Sequence, residues 1–252
     1  MLTHEELTER LTRAGFVAAE EEAAELLETA AGDDRRLQAM LDRRLTGEPL
    51  AWIAGWTAFC GLRVGVDPGV YVPRWMTELL AERAVARLPG RGVAIDVCCG
   101  SGAVAAVLAA RRPGARVVAT DVDPRAVACA ARNASAAFET YAGDLLDGVP
   151  ADLRGGVDVL VGVVPYVPTG ELRLLQRDTL TFETPLSYDG GPDGCALLRR
   201  VVAAAPDWLR PGGALLLELG GAEADALDLS AFTTVEILVD EDGDVRGVEA
   251  TR

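Results

Sequence analysis

The stretch Val93-Ala94-Ile95-Asp96-Val97-Cys98-Cys99-Gly100-Ser101-Gly102-Ala103 decides the fold. Five residues of mostly β-branched apolar character run into a tight glycine turn, and an Ala/Val/Leu run follows. A continuously apolar strand is buried on both faces, as in a parallel sheet, and the run beyond the turn opens a helix. Gly100 and Gly102 let the backbone pass close to a ligand, and the helix start presents unpaired N–H donors beside it. Asp96 stands at the strand's carboxyl end, where open α/β sheets bind ligands. The stretch therefore predicts a nucleotide-type cofactor site.

Outward from it, apolar runs predict strands near 93–97, 116–121, 139–142, 157–161, 214–219, 233–239 and 245–250, with helices near 102–111, 124–133, 194–208 and 221–228. Strands alternating with helices imply a parallel sheet covered on both faces. Upstream, residues 1–58 read as helices, either a lid or docking bundle or a stabilising appendage. Phe59 to Val66 alternates as a short hairpin, with a turn at Pro68-Gly69, and residues 71–252 form the main domain. His4, the only histidine, lies near the chain start, a poor place for a base.

The glycine turn loosely satisfies the dinucleotide fingerprint, since Gly100, Gly102 and Ala105 match Gly-x-Gly-x-x-Ala. Three features favour S-adenosylmethionine instead. Asp96 inside the turn suits a cationic amino-acid moiety and would repel a pyrophosphate. Asp144, after the third strand, stands where an adenine amino group is read. The fourth strand runs into Pro165-Tyr166, with no second phosphate grip in sight. Asp121, ending the second strand, is placed for ribose hydroxyls in either case. Helix capping is the structural alternative for Asp96 and Asp121.

Composition narrows the function further. The 252 residues carry a net charge of −15, and all 24 basic residues are arginine, so lysine-dependent mechanisms are excluded. Such an acidic chain is ill suited to a phosphate backbone, and nucleic acid is not an expected partner. Cysteines at 60, 98, 99, 129 and 195 show no Cys-x-x-Cys spacing, so neither a metal site nor a disulfide framework is expected, and a reducing cytoplasm fits. No apolar run approaches membrane-spanning length.

The segment Arg43 to Glu78, RRLTGEPLAWIAGWTAFCGLRVGVDPGVYVPRWMTE, resembles the linker of the HemK/PrmC protein glutamine methyltransferases. The likeness continues through the Asp96–Gly102 turn, Asp121, Asp144, Val157 to Val167, Glu183, Asp189-Gly190-Gly191-Pro192-Asp193-Gly194 and Leu209-Arg210-Pro211-Gly212-Gly213. Those enzymes methylate the Gly-Gly-Gln glutamine of peptide-chain release factors. The resemblance implies an α/β fold: a seven-stranded class I methyltransferase (Rossmann-like) sheet with an antiparallel last strand, a small N-terminal helical domain (1–58) and a β-hairpin linker (59–70). It implies that Asp96, Gly100 and Gly102 meet the methionine part of the cofactor, Asp121 the ribose and Asp144 the adenine. Cys98, Val122 and Leu145 complete the expected cofactor contacts. Arg74, Trp75, Thr77, Val163, Pro165 and Tyr166 are the expected substrate contacts.

One departure bears on the acceptor. The family motif after the fourth strand is Asn-Pro-Pro-Tyr, or Asn-x-Pro-Tyr, whereas this chain reads Val163-Val164-Pro165-Tyr166. The asparagine holds the target amide in the family; valine offers neither donor nor acceptor. Trp75 and Thr184 also replace family prolines. Trp75 offers an aromatic face for a flat or cationic substrate, or packs between domains. Arg74 anchors a substrate carboxylate or pairs with a local acid. Tyr166 and Glu183 are the candidate bases. The expectation is a methyltransferase acting on a small molecule of specialised metabolism. Two alternatives are an intramolecular sulfonium-dependent alkylation that closes a small ring, and residual release-factor methylation.

Overall fold

The computed structural model describes residues 2–175 and 177–252. The N-terminal segment folds as helices α1 (His4–Arg13), α2 (Ala19–Ala30), α3 (Asp34–Leu45) and α4 (Leu50–Ala54). A capping box starts the first: Thr3 accepts from the Glu6 N–H, and Glu6 reaches back to the Thr3 N–H. Leu7, Leu11, Ala23, Leu26, Leu37 and Leu41 recur at helical spacing and close a core of their own, to which α4 adds Ile53.

A hairpin follows, β1 (Trp56–Phe59) and β2 (Leu62–Gly65), with Phe59 opposite Leu62. It begins three residues before the expected Phe59 and turns at Cys60-Gly61, while Pro68-Gly69 turns separately beyond it. Both turn residues have positive φ, 48° and 76°, the geometry that matches strand twist in a two-residue loop. Cys60 is a poor sequence signal for that conformation.

Helix α5 (Thr77–Arg87) leads into the sheet: β3 (Val93–Val97), α6 (Ala103–Arg111), β4 (Arg116–Asp121), α7 (Pro124–Ala134), β5 (Glu139–Ala142) and β6 (Val157–Gly162). Then come α8 (Arg177–Phe182), α9 (Ala196–Trp208), β7 (Leu209–Glu218), α10 (Gly221–Ala226), β8 (Thr234–Val239) and β9 (Val245–Thr251). The strand order is β5-β4-β3-β6-β7-β9-β8, parallel except for β9, which is antiparallel to both neighbours. Strand β7 starts at Leu209 rather than at the expected residue 214. Leu209 pairs with Val157 ahead of an irregularity that takes up Arg210-Pro211-Gly212-Gly213.

Alternate residues of the strands build two cores. Ala94, Val117, Val159, Val161 and Leu216 face α5, α6 and α7. Ile95, Val97, Val118, Leu160, Leu215 and Leu217 face α9, whose Leu198, Val201 and Trp208 are buried against them. Two covered faces explain why the strands read as unbroken apolar runs. The chain leaves β3 toward β4 on one side and returns to β6 on the other, so the crevice at the switch point lies over the carboxyl ends of these strands. No helix among the described residues is long and apolar enough to cross a membrane.

Candidate functional site

A cavity of about 760 Å³ opens at that crevice, a size suited to a cofactor and a small partner. The glycine turn after β3 forms its floor. Gly100 and Gly102 have φ of 55° and 76°. A Cβ on Gly102 would stand 3.0 Å from the Ala130 Cβ and 3.1 Å from the Phe138 ring, so this glycine seats α6 against α7 and lies behind the cavity wall. Cys98 also adopts positive φ, 57°. Burial pushes its thiol well up, which keeps it neutral, an apolar wall rather than a nucleophile.

Asp96 is 2% exposed and lines the cavity. It accepts from the Ala105 N–H at 2.9 Å, thereby capping α6 as well as facing the crevice. Burial pushes its carboxyl up to about 7, with Asp121 adding to the shift and the Ala105 N–H opposing it. A buried acid held so far from its ordinary value is stabilised as an anion by an arriving cation. Asp121 accepts from the Gly100 and Asp123 N–H groups, each at 2.9 Å, and so braces the glycine turn to β4. Burial raises its carboxyl too. Asp123, not Asp121, caps α7.

Val122, Asp144 and Leu145 line the same wall. Asp144 is ion-paired at 2.9 Å with Arg200 of α9, a cavity residue the sequence did not single out. The Ser101 hydroxyl, inside the glycine turn, is buried without a partner among the described residues and also lines the cavity. An orphaned donor, two acids and left-handed backbone at one crevice fit a ligand with an amino-acid head and a ribose, as S-adenosylmethionine has.

Trp75, Thr77, Val163, Pro165 and Tyr166 line the same cavity. Val163 is half-buried and packs on the core shared by α5 and α6. Trp75 is 69% exposed, with the Arg246 guanidinium 5.8 Å from its ring, so it presents an aromatic face at the mouth rather than packing between domains. Arg74 lines the cavity but pairs with Glu183 at 2.9 Å and donates to the Tyr188 hydroxyl at 3.0 Å, the local-acid alternative.

The structure places the two candidate bases differently. Glu183 does not line this cavity: it is buried among the Val72 N–H, the Tyr188 hydroxyl and Arg74. Tyr166 does line it, but burial and neighbouring Glu218 push its phenol far above the ordinary tyrosine range, so it starts as a neutral donor. Its hydroxyl donates to Glu218 at 3.4 Å. Glu218, 4% exposed at the end of β7, also accepts from Thr77 at 2.5 Å. An acid at the carboxyl end of an otherwise apolar strand is the signal that could have found it, the one already used for Asp96.

The Tyr188-Asp189-Gly190 segment bonds the Val167 backbone and packs closely on that of Tyr166. Val167 donates to the Tyr188 carbonyl at 2.8 Å, and the Gly190 N–H donates to the Val167 carbonyl at 2.9 Å. A Cβ on Gly190 would lie 2.7 Å from the Tyr166 Cα and closer still to the Gly194 carbonyl. Gly190→Ala is therefore expected to cost about 3 kcal/mol, read as a lowered denaturant midpoint. An unchanged midpoint would show that this contact relaxes freely.

Glycine turn, acids after three successive parallel strands and antiparallel last strand together define a class I S-adenosylmethionine-dependent methyltransferase. Residues 62–161 match the methyltransferase small domain. Over 246 residues the chain is 39% identical to the release factor glutamine methyltransferase of Moorella thermoacetica, covering 92% of this chain and 83% of that one. It is 38% identical over 186 residues to the 4-amino-L-phenylalanine/4-methylamino-L-phenylalanine methyltransferase of Streptomyces pristinaespiralis, covering 71% and 63%. A solved methyltransferase from Pyrococcus furiosus shares the fold, with a TM-score of 0.53 at 18% identity over 86% of this chain and 97% of that one. The chain belongs to the HemK/PrmC family of release factor glutamine methyltransferases.

Proposed function

We propose that this protein transfers the methyl group of S-adenosylmethionine to a small molecule of specialised metabolism rather than to a release-factor glutamine. The observation that carries this reading is Val163: an aliphatic side chain lines the cavity where the family places its amide-holding asparagine. A relative at 38% identity is named for methylating an aromatic amine, so the family includes a small-molecule acceptor. Trp75, Tyr71 and Tyr188 line the cavity and suit a flat acceptor.

When bound, the cofactor supplies an electrophilic methyl on a sulfonium. This chain's residues position the two partners. Asp96 neutralises the methionine ammonium, Asp121 and Val122 hold the ribose side, and Asp144 with Leu145 frames the adenine. Val163 and Pro165 form a dry wall for the acceptor, with Trp75 across the mouth. Because methyl transfer is an in-line displacement, such positioning supplies much of the rate.

Incubation with S-adenosylmethionine and a panel of aromatic amines, phenols and a Gly-Gly-Gln peptide, followed by mass analysis, tests the reading. A small-molecule product heavier by one methylene, with release of S-adenosylhomocysteine, is the expected result. Efficient methylation of the peptide alone would overturn it. Thioether release with no gain in product mass would move the assignment to ring closure.

A further inference from the structure

Behind the cavity wall, in contact with Thr77 and Tyr166 that line it, stands a buried acid that the positioning roles above do not use. Glu218 ends β7 one residue past Leu217, which pairs with Gly162 of β6, so in this parallel register Glu218 stands beside Val163. Its carboxylate is 4% exposed. Among the described residues no arginine hydrogen-bonds it; its partners there are two hydroxyls, Thr77 Oγ1 at 2.5 Å on one oxygen and the Tyr166 phenol at 3.4 Å on the other. Thr77 and Tyr166 both line the cavity beside Val163. An acid inserted only to pin α5 to β7 would be satisfied by Thr77 alone. Here the second oxygen continues through a phenol into the acceptor space.

We propose that Glu218, acting through Tyr166 and held in place by Thr77, takes up the proton of the acceptor, and that the site is therefore built for acceptors bearing an N–H or O–H. The proposal rests on the small-molecule reading of this cavity. In the step, the lone pair of the acceptor nitrogen or oxygen forms a bond to the methyl carbon, and the C–S pair leaves with sulfur. The acceptor's proton passes to the Tyr166 oxygen while the Tyr166 proton passes to Glu218, leaving a neutral carboxylic acid and a neutral phenol. Water removes the proton after product departs. Burial raises the Glu218 carboxyl above the ordinary glutamate value, opposed by the Thr77 and Tyr166 hydroxyls and the Arg246 charge. A carboxyl moved in that direction is better matched to the transfer. The other charged or titratable groups around this unit are Tyr71 from the segment before α5 and Glu223 of α10, which faces Tyr166.

Glu218→Gln keeps the shape and one accepting oxygen, replaces the other by an amide donor toward which a neighbouring hydroxyl must turn its lone pair, and cannot take a proton. With 4-amino-L-phenylalanine and L-tyrosine as probe acceptors, kcat is expected to fall about 100-fold. The rise of rate with pH that Glu218 ionisation confers should vanish, with a thermal midpoint no lower than that of wild type and S-adenosylhomocysteine binding unchanged. Glu218→Asp should keep the rise at an intermediate rate, and Glu223→Gln should keep it whole. A Glu218→Gln enzyme with the wild-type pH profile and rate overturns the proposal. An infrared difference titration of the S-adenosylhomocysteine complex gives a readout without turnover. A protonated-carboxyl band titrating above the ordinary glutamate value and missing from Glu218→Gln supports it, and absence of such a band overturns it. If wild-type enzyme transfers to neither probe, the choice of substrate class fails, while the infrared result still decides whether Glu218 holds a proton.

Discussion

Val163→Asn is expected to create methylation of a Gly-Gly-Gln peptide where the wild-type protein shows little or none. A glutamine carboxamide seated against valine must desolvate without its two side-chain partners. At about 1–3 kcal/mol for each unmade bond, that amounts to roughly 2–6 kcal/mol. The corresponding gain in rate runs from roughly 30-fold to above 10⁴-fold. Sites built on hydrogen bonds to their substrate discriminate this sharply because the unpaired groups stay buried. Val163 is half-buried on the α5–α6 core but reaches the cavity, so an amide there can turn toward the acceptor space. The same substitution should slow transfer to an apolar small acceptor, since the wall is no longer dry. Single-turnover assays of both variants on peptide and small molecule give the comparison. Efficient wild-type methylation of the peptide, or no gain in the variant, would remove Val163 as the specificity determinant.

The Val163 argument was legible in the sequence because it depends on one position beside a strand end, and strand ends were easy to place. The run Val93–Val97 and the turn after it appear in the structure at the expected residues, since a doubly covered strand leaves an unbroken apolar signature. The acids Asp96, Asp121 and Asp144 fall at the same crevice for the same reason. What the sequence hid are pairings across distance. Glu218 meets Thr77 and Tyr166 from 141 and 52 residues away, and no local pattern marks that meeting. Glu183 looked like a base by residue type, yet Arg74, 109 residues earlier, and Val72 hold it outside the cavity. The hairpin start was missed because Cys60 takes a left-handed turn conformation that glycine or asparagine usually announces.

The second large effect is on Asp96, where stability and cofactor binding pull in opposite directions. Its carboxyl moves from 3.8 in the unfolded chain to about 7 in the folded cavity. Below 3.8 both states are protonated and the residue costs nothing. Between 3.8 and about 7 the folded protein holds a proton that the unfolded chain has released, so stability falls as pH rises through that window. The full loss is at most about 4 kcal/mol and is complete above pH 7. Burial likewise raises Asp121 and Glu218, which add loss of the same sign. Asp96→Asn removes the largest part of this slope. The cofactor-free variant should therefore unfold at higher denaturant than wild type above pH 7 and at similar denaturant near pH 4. In the complex proposed above the ammonium of the methionine moiety offsets the same cost, and the variant forfeits that gain. Losing one charge-assisted hydrogen bond, about 1.5–3 kcal/mol, should weaken S-adenosylhomocysteine binding roughly 10- to 100-fold by calorimetry. A variant that binds as tightly as wild type would place the ammonium elsewhere. A wild-type denaturation midpoint that stays flat across the window would show that Asp96 ionises in the folded cavity at an ordinary pH, leaving no cost for the ligand's charge to relieve.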